Sequence, residues 1–213
     1  MPLQPQLSPN ALTTLETVKL FLPASVEESA DALFTMMINQ ASDWIEQQLQ
    51  RKLGKASYDE WLYSTGRQWL MLREWPILSV EEVTQQGQII APEMFLVEPD
   101  GYAGCLYKDD GWTWFGYRQG LAADPVAASR NIRVKYTAGY VLPKDATEDN
   151  PRTLPYDIEQ LCIDMLLRAF GTLENGGTAG LKSFAISDVR WEWDNTTPES
   201  WKTTIASYRR GWL

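Results

Sequence analysis

The side chains that could do chemistry in this chain are carboxylates. Glu98/Asp100, Asp109/Asp110 and Glu148/Asp149 stand as close pairs, and converging acids, usually with a lysine, can hold divalent metals for phosphodiester hydrolysis. Each pair lies beside glycine or proline in an apparent turn, so solvated turn acids are the expected role. There is no histidine. That removes Ser-His-Asp and Cys-His nucleophiles, HExxH zinc sites and histidine general bases. Two cysteines, Cys105 and Cys162, cannot supply the four ligands of tetrahedral zinc. Cys162 falls among apolar residues at helical spacing, and both are expected as reduced core thiols. No GxxxxGK[ST] phosphate loop is present, and the glycine-rich stretch Asn175–Gly180 follows a helix where that motif needs a strand. The expectation is no catalytic residue, no metal and no cofactor. Two alternatives are kept: a metal-dependent nuclease using carboxylates, and a glycan-binding module using Trp112 and Trp114.

Composition narrows the class further. The 213 residues are 44% hydrophobic, enough for a core and too many for disorder. No run approaches the roughly 20 apolar residues of a membrane span, and no membrane partner is expected. No basic-then-apolar signal peptide opens the chain, so it is expected to stay inside the cell or inside a particle assembled there. The net charge of −9 is a poor basis for gripping duplex DNA. It suits a surface that DNA slides past.

The elements that must position these residues read as an α+β fold. A polar, proline-bearing arm spans residues 1–11. A bundle of about three helices begins at 12–57 and resumes at 141–174, interrupted by a β-rich insertion at 58–140. A strand–helix extension occupies 175–213. The first helix is predicted at Leu12–Leu22, capped by Thr13 or Thr14. The second carries apolar residues at Ala30, Leu33, Phe34, Met37, Ile38, Ala41, Trp44, Ile45, Leu49 and Leu53, about six turns at the 3.6-residue period. Ser25 or Ser29 would cap it and Gly54 would end it. Its acids Glu27, Glu28, Asp31, Asp43 and Glu46 read as a solvated face. Candidate strands are Tyr58–Ser64, Gln68–Arg73, Val80–Gln86, Phe95–Glu98, Cys105–Lys108 and Ile132–Thr137, with an exposed loop at Leu121–Asn131. A third helix covers Pro155–Leu173. Val189, Trp191 and Trp193 alternate as in a strand. Thr197-Pro198-Glu199 is then a helix start, with a threonine cap and proline at the first position. Trp201, Ile205, Tyr208 and Trp212 share a face, and Arg209 and Arg210 would close that helix at its negative end.

Several stretches, in order, resemble the head–tail connector (adaptor, head completion) proteins of tailed bacteriophages. They are Leu12–Leu22, Ala41–Glu46 with Arg51–Leu53, Leu70–Val80, Val134–Tyr140, Leu154–Cys162, Ile186–Val189 and Ser207–Arg210. The most telling pair is Tyr136-Thr-Ala-Gly-Tyr140 followed by Leu154–Cys162, a strand that reaches a glycine turn and returns through an acidic loop to a helix. The resemblance implies a structural, non-enzymatic virion protein at the neck, assembled in the host cytoplasm. It implies a homo-oligomeric, dodecameric ring below the portal that extends the DNA channel. Portal protein and a stopper or tail-completion protein are the implied partners, with genomic DNA passing through without sequence-specific binding. The terminal face Trp201, Ile205, Tyr208, Arg209, Arg210 and Trp212 is the candidate portal-docking segment. Trp112, Trp114 and Phe115 are candidates for a ring or tail interface.

Overall fold

A computed structural model describes residues 5–22, 30–63, 66–98, 104–112, 130–174 and 198–209. The chain divides into two compact units: Met1–Lys52 with Val141–Leu213, and Leu53–Tyr140. It carries helices and antiparallel sheets, an α+β fold. The expected strand at Val189–Trp193, Thr197, Arg210 and Trp212, Trp114 and Phe115, and residues 121–129 lie outside the described residues.

The first unit is helical. Helix α1 runs Leu15–Lys19, shorter than the predicted Leu12–Leu22. Thr14 caps it, its hydroxyl accepting the Thr17 N–H at 3.2 Å. Thr13 is spent elsewhere: it is fully buried and donates to Glu159 Oε1 at 3.0 Å. Helix α2 spans Asp31–Leu49. It ends not at Gly54 but at Gln50, which takes a left-handed conformation (φ 56°) as the helix unwinds. Its start at Ala30 has no side-chain cap, and Ser25 and Ser29 lie outside the described residues. Helix α3 spans Tyr156–Glu174. Ala11, Val18, Phe34, Met37, Ile38, Ile163 and Leu166 form a shared core between α1, α2 and α3, with the Phe34 and Phe170 rings edge-on at 5.1 Å. The apolar periods of α2 and α3 produce this core, because each helix buries only its stripe.

Residues 5–11 of the N-terminal arm are tied to the helical unit. They lie along a polar stripe of α2 formed by Asn39, Ser42, Asp43 and Glu46. The Ser8 N–H donates to Asn39 Oδ1 (2.8 Å) and the Leu12 N–H to Ser42 Oγ (3.0 Å). The Asn10 amide donates to Asp43 (2.7 Å) and Glu46 (3.0 Å). Glu46 is therefore buried, not solvated, and pairs with Lys52 at 2.8 Å. A stripe of acceptors at i, i+3, i+4 and i+7 reads the same whether water or another segment supplies the donors. Glu27 and Glu28 lie outside the described residues.

Among its described residues the second unit has seven strands: β1 Ala56–Leu62, β2 Trp69–Met71, β3 Ile77–Gln85, β4 Gln88–Ile89, β5 Leu96–Val97, β6 Cys105–Tyr107 and β7 Ile132–Ala138. They form a four-stranded sheet in order β1-β7-β3-β4 and a three-stranded sheet β2-β6-β5, with every pairing antiparallel. Strand β4 is additional to the predicted set. It is returned by Gln86-Gly87, both at positive φ (57° and 76°), the two-residue turn whose twist matches the strands. Alternation in β7 buries Ile132, Val134, Tyr136 and Ala138 and leaves Arg133, Lys135 and Thr137 on the outer face. The core gathers those four with Leu70, Leu72, Ile77, Val83, Leu106 and Trp112. Tyr136 places its hydroxyl where the Glu74 N–H donates to it at 3.1 Å.

The ends of this unit meet at a close backbone approach. The Tyr140 N–H donates to Leu53 O at 2.7 Å, and the Lys55 N–H donates to Tyr140 O at 2.8 Å. Gly139 sits at φ +104°, and a Cβ there would lie 2.5 Å from Gly54 O. Only glycine fits both the torsion and the space. Replacing Gly139 by alanine is expected to lower stability by about 3 kcal/mol. Gly87→Ala has a positive φ but nothing within 4 Å, and is expected to cost about 1 kcal/mol. Urea unfolding midpoints of the two variants check the difference.

Candidate assembly surfaces

The first candidate surface is the C-terminal helix. Helix α4 spans Glu199–Tyr208. Pro198 occupies the cap position rather than the first helical position, and no side chain caps the helix. A proline just before the first turn loses no helical hydrogen bond and stops the preceding chain from continuing as helix. Arg209 is extended, just past the helix end, and its N–H donates to Ile205 O at 3.0 Å. No basic residue lies in the last turn, so the arginine closure expected from sequence is moved one residue beyond the helix. Trp201 is 6% exposed, and Ile205 and Tyr208 are half-buried on the same side. That side faces α2 and α3. The Arg168 guanidinium lies 5.6 Å from the Trp201 ring centroid, a cation–π arrangement. The Tyr208 hydroxyl donates to Asp157 Oδ1 at 2.8 Å. In the chain by itself the apolar anchors of α4 thus pack on their own unit.

A buried polar cluster underlies that unit. Glu159 is 5% exposed and forms an ion pair with Arg152 while accepting the Thr13 hydroxyl. Arg152 also donates to Leu154 O at 2.8 Å and stacks 4.0 Å over the ring of Tyr156. Cys162 lies beside Ser42 with the sulfur 3.8 Å from the hydroxyl. Burial pushes its thiol up to about 12, partly offset by the Ser42 hydrogen bond. Such a thiol is inert at neutral pH.

The second surface is the outer face of the four-stranded sheet. Arg133 donates from Nε and Nη2 to the two Asp59 oxygens at 2.7 and 2.5 Å. This hydrogen-bonded pairing holds the Asp59 carboxyl below its usual range. Lys135 pairs with Glu82 at 2.9 Å. Glu81 accepts the hydroxyls of Ser79 (2.7 Å) and Thr137 (2.9 Å), and these hold its carboxyl low, the Ser79 bond most. At one end the charges give way to rings. Arg133 lies 5.6 Å from the Trp61 centroid and Arg130 5.5 Å from that of Tyr63. Trp61 and Tyr63 are 52% and 57% exposed.

A third surface is the three-stranded sheet. Trp69, Tyr107 and Leu96 fall in one cross-strand row. Trp69 and Tyr107 are in ring contact at 4.8 Å, and Trp69, Leu96 and nearby Met94 are exposed.

The residues singled out from sequence divide accordingly. Trp112 is 1% exposed and belongs to the β-unit core, its indole N–H donating to Gln68 O at 3.0 Å. It is therefore not available as an interface residue in the isolated chain, because its ring fills the space between strands. Asp109, Asp110, Glu148 and Asp149 lie exposed in turns and bends. Among the described residues no group of three His, Cys, Asp or Glu side chains is placed to hold a metal ion, and no helix is long and apolar enough to cross a membrane. The exposed rings of Trp61, Tyr63 and Trp69 were not singled out from sequence. Their positions on the outward phase of β1 and β2 were the available signal, since outward aromatics on a strand stay exposed unless something covers them.

This geometry is that of a two-unit α+β chain with assembly-type surfaces and no assembled active site among the described residues. The family model for head completion proteins matches residues 11–167. No curated protein matches the chain. Solved structures share the fold. A chain from the neck of an empty GTA particle, computed with C6 symmetry, is 13% identical at a TM-score of 0.56, over 96% of this chain and 93% of that one. One from the neck of a native GTA particle, computed with C12 symmetry, is 13% identical at 0.53, over 100% and 97%. One from the virion of a native gene transfer agent particle is 14% identical at 0.54, over 99% and 96%. The chain belongs to the head completion protein family.

Two outcomes test the packing within the two units. Trp201→Ala is expected to remove about 3–5 kcal/mol from the attachment of α4. Trypsin cleavage after Lys202 would then accelerate at least roughly tenfold, whereas Tyr208→Phe, losing one exposed hydrogen bond, would change it little. Burial raises both Cys162 and Tyr136 above their ordinary values of 9.0 and 10.0. The folded chain therefore holds protons that the unfolded chain releases. Stability from these groups is full below pH 9, falls as the pH climbs through the thiol's value of about 12, and falls further once the phenol titrates. The urea midpoint should be lower at about pH 10.5 than at about pH 8, with a shallower decline in Cys162→Ala.

Proposed function

We infer that this chain is a head–tail connector of a tailed phage or phage-like particle. It forms a ring in the virion neck, below the portal, that extends the DNA channel and gives a stopper or tail-completion protein its docking surface. The observation that carries this reading is the family match over residues 11–167. The likeness across nearly the full chain to neck chains computed with C6 and C12 symmetry supports it. A twelvefold ring is the proposed state. The net charge of −9 suits a channel that does not retain DNA, because few cations are offered to replace the counterions of the phosphates. The work of such a protein is rigid assembly, and no catalytic residue, metal or cofactor enters it.

The portal contact is assigned to the C-terminal end. Trp201 pins α4 to α2 and α3, and the uncovered sides of the half-buried Ile205 and Tyr208, with Arg209, Arg210 and Trp212, reach the portal. Trp114 and Phe115 belong to a ring or tail contact. Particle mass, measured by light scattering or negative-stain imaging with and without purified portal, tests this. A ring seated on the portal is expected, and portal binding is expected to be lost when residues 197–213 are removed. A monomer indifferent to the portal would overturn the reading.

A further inference from the structure

We propose that the aromatic–arginine corner of the β-rich unit is one half of the contact between neighbouring copies, and that it receives the acidic turn Glu148–Asp149 of the next copy. The inference rests on the ring reading above and names its partner surfaces.

The corner has the composition of an energetic contact. Trp, Tyr and Arg are the residues that most often carry interface binding energy. Here Trp61 and Tyr63 are half-exposed rings, each with a guanidinium on its face. Arg133 is held over Trp61 by its two hydrogen bonds to Asp59, so that ring–cation pair is already ordered. Arg130 differs. It is exposed, sits over Tyr63, and no carboxylate pairs with it among the described residues. The corner therefore ends in a cation above an exposed ring, and among the described residues no carboxylate answers its charge.

The acidic turn is the complementary piece. Thr147 and Asn150 close it: the Thr147 N–H donates to Asn150 O (3.0 Å), and the Asn150 N–H donates to Thr147 O (3.2 Å) and to its hydroxyl (3.1 Å). Glu148 and Asp149 are thereby fixed at an exposed tip. No cation pairs with either among the described residues. A closed ring needs two different, mutually complementary patches on each copy rather than one self-complementary patch. The chain offers such a pair in opposite charges. Being net acidic, copies repel at long range, so each contact requires a local basic site. Arg130, lying over Tyr63 and facing two carboxylates held in a closed turn, supplies one.

Charge exchange tests the proposal in the full chain, with ring formation scored by light scattering and negative-stain imaging. Arg130→Glu should raise the concentration for half-assembly by roughly tenfold or more, and so should Glu148→Arg with Asp149→Arg. Combining the exchanges should restore assembly, and rising salt should weaken the wild-type ring. Arg130 lies exposed outside the strands, so the urea midpoint of Arg130→Glu should match wild type. Arg130→Gln provides a milder second variant, with an intermediate loss. A wild-type chain that forms no ring, with or without portal, would overturn the connector reading itself. Normal rings from Arg130→Glu, or a loss that the acidic-turn exchange does not repair, would overturn this contact alone. Intact rings with weakened retention of duplex DNA would assign the corner to DNA instead.

Discussion

The β-rich unit depends on one close backbone approach. Its chain enters at Leu53-Gly54 and leaves at Gly139-Tyr140, and those segments are hydrogen-bonded to each other at 2.7 and 2.8 Å. Gly139 makes this possible twice over, by tolerating φ +104° and by leaving room for Gly54 O. Closing the ends of a long insertion costs chain entropy that grows only slowly with length. Once the ends are fixed, β7 is anchored at its last residue, and the register of β1 and β3 on either side follows from it. A slip of one residue would turn Tyr136 and Val134 outward.

The helical unit is organised by a different constraint, the satisfaction of buried polar groups. The polar stripe of α2 is answered by residues 8–12. Glu159 is answered by Thr13 and Arg152. Charges removed from water are tolerated only with such partners. The N-terminal segment is thus structural: it completes the bonding of α2 and contributes Ala11 and Leu12 to the buried set.

Both units leave aromatic rings exposed. Trp201 on α4 is buried under Arg168, but the helical unit exposes Phe21 and Tyr156, and the β-unit exposes Trp61, Tyr63 and Trp69. Exposed rings beside ordered arginines are costly to leave in water and useful to cover with a partner.

Sequence alone determined the main helices and most of the described strands, β4 excepted. Apolar periods near 3.6 gave α2 and α3, and alternation gave β7, because those periods are properties of the isolated helix and strand. The lack of histidine excluded whole classes of chemistry without any fold. The ordered motifs were enough for the family. Only the tertiary structure decided what each polar or aromatic side chain meets. Glu46 and Asp43 share one helix stripe, yet one is buried and the other exposed. Trp112 is core while Trp61 is surface. Burial depends on which distant segment arrives, as Asn10 does at Glu46 and Gln68 does at Trp112. Contacts of that range are set by the packing of the whole chain, and local residue spacing carries no record of them.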